Sequence, residues 1–213
     1  MNFDLQTLRI QAASKDYSGR SRTSYSGEDS LYDTVTIAPD TLFPGEFSFF
    51  SQGINNGKSY AQTNMQLGGQ LSNNDAFLVL GCRFGWFCNG NQIDLNYLCN
   101  NTWLDWKFYN NSFFKGIPEM FPGGSMAYAT AASSTALVTA DVPYPITSLV
   151  NGTPMKMNYF SVSEPGILLC GNDSVGVTLI NASGPYTTAT AEIGGTGLTM
   201  HVWLDGYRIR QTS

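Results

Sequence analysis

Charge is scarce in this chain. Only 13% of its 213 residues are Asp, Glu, Lys or Arg, about half the usual share, and the net charge is -5. That sign argues against nucleic-acid binding by the domain as a whole. Histidine is scarcer still. His201 is the only one, which excludes a metal or hydrolase centre built from several imidazoles. The four cysteines, Cys82, Cys88, Cys99 and Cys170, form no C-x-x-C pair, so neither a zinc ribbon nor a secreted disulfide scaffold is indicated. Cys82 and Cys170 lie in apolar runs and are expected to be buried, structural thiols.

Long hydrophobic runs and helical periodicity are missing too. The first ten residues mix charge with apolarity and do not read as a secretory leader. The longest charge-free stretch, Met120 to Ala140, contains Pro122, Gly123 and Gly124 and cannot make a bilayer-spanning helix, so the chain is expected to be made soluble. No long segment places apolar residues at i, i+3, i+4 and i+7. No G-x-S-x-G elbow presents a nucleophile. Gly68-Gly69 and Gly194-Gly195-Thr196-Gly197 lack the lysine and helix that a phosphate loop needs, and read as turns.

Aromatics, glycine and β-formers are what the chain does have. The 13 Phe, 11 Tyr and 4 Trp supply material for a core and for contacts with other proteins, whose interfaces gain aromatics and lose Lys, Glu and Asp. A single domain of this length buries roughly 70% of the surface of its unfolded chain and needs no staple. Short runs rich in Val, Ile, Thr and aromatics recur between Gly, Asn and Pro. Strands are expected at Asn2–Ile10, Asp33–Ala38, Gly45–Phe50, Ala76–Phe87, Trp103–Tyr109, Met155–Val162, Val175–Ile180 and Leu198–Leu204, the last closed by a turn at Asp205-Gly206. In Trp103–Tyr109 the period of two sets Leu104, Trp106 and Phe108 against Trp103, Asp105, Lys107 and Tyr109. Eight to ten strands suit an all-β sandwich of two antiparallel sheets. Around residues 120–145 a stretch of small residues reads as a long surface loop.

Candidates for chemistry are few. His201, on a strand, is expected to be structural. Asp105, Glu164 and Asp205 read as turn or edge residues rather than a glycosidase pair. N-x-[ST] triplets begin at Asn100, Asn110, Asn151, Asn172 and Asn181, as an Asn- and Ser/Thr-rich chain produces by chance. Four of the eleven basic residues, Arg9, Lys15, Arg20 and Arg22, fall in the first 22 positions, which suggests an N-terminal strand or arm over residues 1–30 ahead of a main domain at 31–213.

Three segments resemble the coat proteins of tailless, icosahedral, often membrane-containing bacterial viruses of the vertical jelly-roll lineage. The first is Gln62-Thr-Asn-Met-Gln-Leu-Gly-Gly-Gln-Leu71 with Ala76–Leu80. The second is Leu104–Tyr109 leading to Gly116-Ile-Pro-Glu119, and the third is Met200–Gln211 with its Leu204-Asp205-Gly206. Their order and spacing cover residues 30 to 211. Many members carry two fused rolls, whereas this chain has strands for one. The resemblance implies a jelly-roll subunit, single by its strand count with a compact double roll as the alternative, that self-assembles into a virion shell after synthesis in the host cytoplasm. It also implies no catalytic residue, metal, cofactor or small-molecule substrate. Partners would be copies of itself and other capsid proteins, with an internal membrane or packaged genome near the basic arm. Candidate contact residues are Arg9, Lys15, Arg20, Arg22, Phe113, Phe114, Met120, Phe121, Tyr128 and Tyr144, while Trp86, Phe87, Trp103 and Trp106 would anchor the sandwich or lateral contacts. The rival reading is a carbohydrate- or receptor-binding module, with aromatics and Asn at a sugar and Asp holding calcium. A small hydrolase is a distant third.

Overall fold

The alternating segments pair as antiparallel strands. The computed structural model of the chain describes residues 24–54, 56–73, 75–87, 92–123, 160–163, 165–188 and 197–211. The first sheet runs β1 (Ser24–Ile37), β11 (Leu198–Gln211), β4 (Asp75–Phe87), with β7 (Phe160–Ser161) and β8 (Ile167–Leu169) both on the far side of β4. The second runs β3 (Glu46–Phe49), β9 (Val175–Asn181), β5 (Thr102–Phe108), β6 (Asn111–Gly116). A small ribbon pairs β2 (Leu42–Phe43) with β10 (Tyr186–Thr187). The pairing is nested: β1 with β11, β2 with β10, β3 with β9, β4 with β7 and β8, and β5 with β6.

Alternation along each strand sends one set of side chains inward, so the two sheets share one core, the arrangement of a β-sandwich. Leu31, Phe77, Val79, Phe84, Val202 and Leu204 enter it from the first sheet, and Phe49, Leu104, Trp106, Phe108, Val177 and Leu179 from the second. Phe49 meets Phe84 edge to face at 6.2 Å, a contact that runs from sheet to sheet. Each such side chain, fully buried, contributes roughly 1.5–3 kcal/mol.

Three local expectations need correction. Asp205-Gly206 is not a turn. β11 continues through it to Gln211, and the register against β4 shifts there because β4 carries an extra residue, Leu80. The Arg83 guanidinium grips the Asp205 carboxylate with two hydrogen bonds, at 2.6 and 2.8 Å, and the Ser30 hydroxyl donates a third at 2.6 Å. A charged residue is thereby held inside the sheet at a bulge. Asp105 is likewise no turn or edge residue. It lies on β5, between β9 and β6, 95% buried and bonded by the Ser112 hydroxyl.

The third correction is a helix, α1 (Gln92–Asn101), between β4 and β5. Its sequence is poor in helix formers and rich in Asn. What holds it is packing and capping: Leu98 is fully buried, and Asn100, Asn101 and Thr102 donate to the carbonyls of Asn96, Tyr97 and Leu98. No helix among the described residues is long and apolar enough to cross a membrane.

β1 begins at Ser24, inside the segment expected to be an N-terminal strand or arm. The middle of its outer edge, at Ser30 to Asp33, is covered by Thr63 and Asn64, two residues of the first resemblance segment. The Asn64 side chain accepts from the Tyr32 N–H at 2.9 Å and donates to the Ser30 carbonyl at 2.7 Å, and Thr63 Oγ1 donates to the Tyr32 carbonyl. Covering an edge this way removes a template for unwanted strand addition. The strand expected at Asn2–Ile10, most of Met155–Val162, and residues 124–145 of the long loop lie outside the described residues. A 3-10 turn, Pro118–Met120, leads into that loop.

Candidate interaction surface

The second sheet ends at β6, and its geometry there differs from a plain edge. β5 and β6 are joined by the two-residue turn Tyr109-Asn110, both with positive φ (53° and 61°), the twist a tight hairpin demands. Asn tolerates that conformation, but a Tyr is strained in it. Two bonds hold Tyr109 there: its N–H to the Ser174 carbonyl, and its hydroxyl to the Leu168 carbonyl. Register then slips by one residue: Trp106 faces Phe114 and Lys107 faces Ser112, which leaves Phe113 as the extra residue of a bulge.

A bulge re-aims the side chain it carries. Phe113 turns outward, 46% exposed, with its ring 5.5 Å from Phe108 and 6.3 Å from Tyr109. Phe114 turns inward, half-buried against Phe160 at 5.2 Å. Beyond β6 the apolar margin continues with Ile117 and Met120, both about half exposed, and Leu168 and Tyr109 are exposed as well. One cation, Lys115, stands on this margin, 5.5 Å from the Trp103 ring. Glu119 is exposed as well, and the Cys99 thiol is hydrogen-bonded to it. Burial, followed by that bond and the Glu119 charge, pushes the thiol up to about 12.

Of the expected contact residues, the structure exposes Phe113 and Met120 and half-buries Phe114. Phe121 is the one it withdraws. Its ring is fully buried in this chain's own core, 5.2 Å from Trp106 and 5.0 Å from Phe160, and its carbonyl accepts the Phe84 N–H. It therefore offers no surface to a neighbour. Arg9, Lys15, Arg20, Arg22, Tyr128 and Tyr144 lie outside the described residues. Trp86 and Trp106 are core, and Trp103 is half-buried. Tyr109, Ile117 and Leu168 were not singled out by sequence, since nothing local distinguishes them from core residues.

The outer face of the first sheet is polar and aromatic. His201 Nδ1 lies 2.9 Å from the Thr34 hydroxyl, and its ring stacks on Trp203 at 5.4 Å. Arg83 covers the other part of Trp203, 5.0 Å from the ring centre. Gly85 leaves room for that indole: a Cβ there would stand 2.9 Å from it. The Asp205 carboxylate is occupied by Arg83 and Ser30 rather than by His201. Among the described residues no group of three or more His, Cys, Asp or Glu converges as a metal site.

Protein-family models and curated proteins give no match to this chain.

Burial lowers the His201 pKa from the ordinary 6.5. The neutral ring is thus the form the fold accommodates. Its contribution is present above the unfolded value and is lost as pH falls through the folded one. The urea midpoint should drop between neutral pH and about pH 5, and His201→Gln should flatten that drop. Identical pH profiles for the two proteins would show that the imidazole plays no part in it.

Proposed function

We propose that the sandwich is a single jelly roll and that the chain is a coat subunit, assembling with copies of itself into the shell of a virus-like particle. Support for the roll is the nested pairing. A ribbon pairing first strand with last and then inward, with its pairs shared between two facing sheets, is how two Greek keys make a jelly roll. Fold alone does not give function. The observation that carries the reading is the apolar margin of β6, where a bulge delivers Phe113 to the surface beside Ile117 and Met120. Large exposed apolar side chains grouped along one margin mark a contact site. A chain with 13% charged residues is suited to shell contacts, whose cores exclude Lys, Glu and Asp. The same reading places other capsid proteins, and a membrane or genome near Arg9 to Arg22, among its partners.

Light scattering and negative-stain electron microscopy of the purified full chain test this. Rings, capsomers or closed particles are the expected result. A species that stays a small oligomer and binds glycans, with binding lost on adding a chelator, would replace it with the carbohydrate-binding reading.

A further inference from the structure

An asparagine followed by glycine is chemically fragile where the backbone can bend, because glycine sets no Cβ beside its own nitrogen. Among the described residues one such pair occurs, Asn56-Gly57, in the loop between β3 and β4. Both residues are exposed, and Gly57 has a φ of 95°. The Asn56 N–H closes a turn onto the Gly53 carbonyl at 3.1 Å. Neither the Asn56 side chain nor the Gly57 N–H has a hydrogen-bond partner among the described residues. The side chains of Asn64, Asn100, Asn101, Asn111 and Asn181, by contrast, each donate to a backbone carbonyl. From this we infer that Asn56 deamidates spontaneously, and that its isoaspartyl product loosens the anchor of this loop on the first sheet. The inference goes beyond the coat-subunit reading and does not depend on it.

The chemistry needs only water. The Gly57 nitrogen attacks the Asn56 side-chain carbonyl carbon and closes a five-membered imide. A bond from that nitrogen to Cγ forms, and the bond from Cγ to the amide nitrogen breaks. The amide nitrogen leaves as ammonia, carrying the proton that Gly57 gave up. Water then opens the ring. Addition at the side-chain carbonyl gives aspartate, and addition at the main-chain carbonyl gives isoaspartate. Nothing is oxidised or reduced.

Isoaspartate routes the main chain through Cβ and Cγ, which makes it one atom longer two residues before Lys58. Lys58 has little slack. Its ammonium stands 2.6 Å from the Asp33 carboxylate, its side chain is only 10% exposed, and its backbone pairs with Ile54 across the turn. Asp33 is fully buried, so an ammonium drawn out of place strands a negative charge inside the fold.

Ageing the full chain in warm, mildly alkaline buffer, with peptide mapping by mass spectrometry, tests the inference. Mapping separates Asn56 from Asn89-Gly90 and Asn151-Gly152, which carry the same dipeptide. A urea-unfolded sample sets the rate without structure. In the folded chain Asn56 should convert within about tenfold of that rate, since surface loops open at little cost, and ahead of the five bonded asparagines. The isoaspartyl form, separated chromatographically, should unfold at a lower urea midpoint than the unaged chain. Asn56→Ser should not convert at this position. Asn56→Asp, which adds the charge without lengthening the chain, should lose less than the isoaspartyl form.

An Asn56 that stays an amide in the folded chain while the unfolded one converts would overturn the site. Conversion with an unchanged midpoint would keep the site and overturn its link to the anchor. An Asn56→Asp midpoint as low as that of the isoaspartyl form would overturn the main-chain account of the loss.

Discussion

Gly206→Ala is expected to destabilise the fold severely. An added Cβ would lie 1.8 Å from the Leu78 carbonyl oxygen and 2.9 Å from its carbon, both backbone atoms of the neighbouring strand. Nothing flexible stands there to give way, so β11 and β4 would have to separate at the bulge. Those strands are the centre of the first sheet, and Arg83 and Asp205 are tied across them one residue away. A loss on the order of 4–5 kcal/mol is reasonable for a forced backbone separation of this kind. Set against a total stability of about 5–15 kcal/mol, it removes from about a third to nearly all of the margin. The control is Gly45→Ala, where a Cβ meets nothing within 4 Å. That variant should match the parent or gain up to about 1 kcal/mol. Urea midpoints of the three proteins decide the matter. An unchanged midpoint for Gly206→Ala would mean that the two strands do not pair in this register.

Lys58→Met should be the next most damaging change. Asp33 is fully buried on β1, and one of its oxygens accepts from both the Phe50 N–H and the Lys58 ammonium, each at 2.6 Å. Phe50 has a φ of 61°, which a bulky side chain rarely adopts, so the carboxylate is fixing a strained backbone as well as pairing a charge. The pair fastens the segment after β3 to the first sheet. Taking away the lysine strands a buried negative charge, at a cost of about 3–5 kcal/mol. Replacing both partners, Asp33→Leu with Lys58→Met, removes the stranded charge but leaves the Phe50 N–H unbonded. The double variant should therefore recover only part of the loss. Denaturant melts of the two singles and the double give the coupling directly. A fully additive result would show that the two groups do not act as a pair.

The strands of the core were legible because burial on one face writes a period of two into the sequence. Leu104, Trp106 and Phe108 are buried, as their spacing requires. The apolar run from Ala76 became β4 for the same reason. Features decided by partners far along the chain could not be read locally. Asp205-Gly206 has turn composition, but Arg83 and Leu78, distant in sequence, make it a bulge inside a strand. The helix at Gln92–Asn101 is fixed by the burial of Leu98 and by side-chain caps rather than by propensity. At the candidate surface, aromatic residues carry no local mark telling core from rim. Phe113 and Phe121 look alike in sequence; the slipped register of β6 puts the first at the surface, and packing on Trp106 and Phe160 buries the second.

Nested pairing also governs the order in which the molecule can be made. Thr34 on β1 finds its partner His201 only 167 residues later. During synthesis the inner hairpin of β5 and β6 can close early, while β1, first of the described strands to leave the ribosome, waits for β11. Closure of such distant segments is slow, and the waiting edge is open to strangers in the meantime. A polypeptide interrupted before Leu198 would lack the strand that lies between β1 and β4, so β1 has no partner in the first sheet until that strand is made. Synthesis of β11 thus acts as a checkpoint for closure of the first sheet.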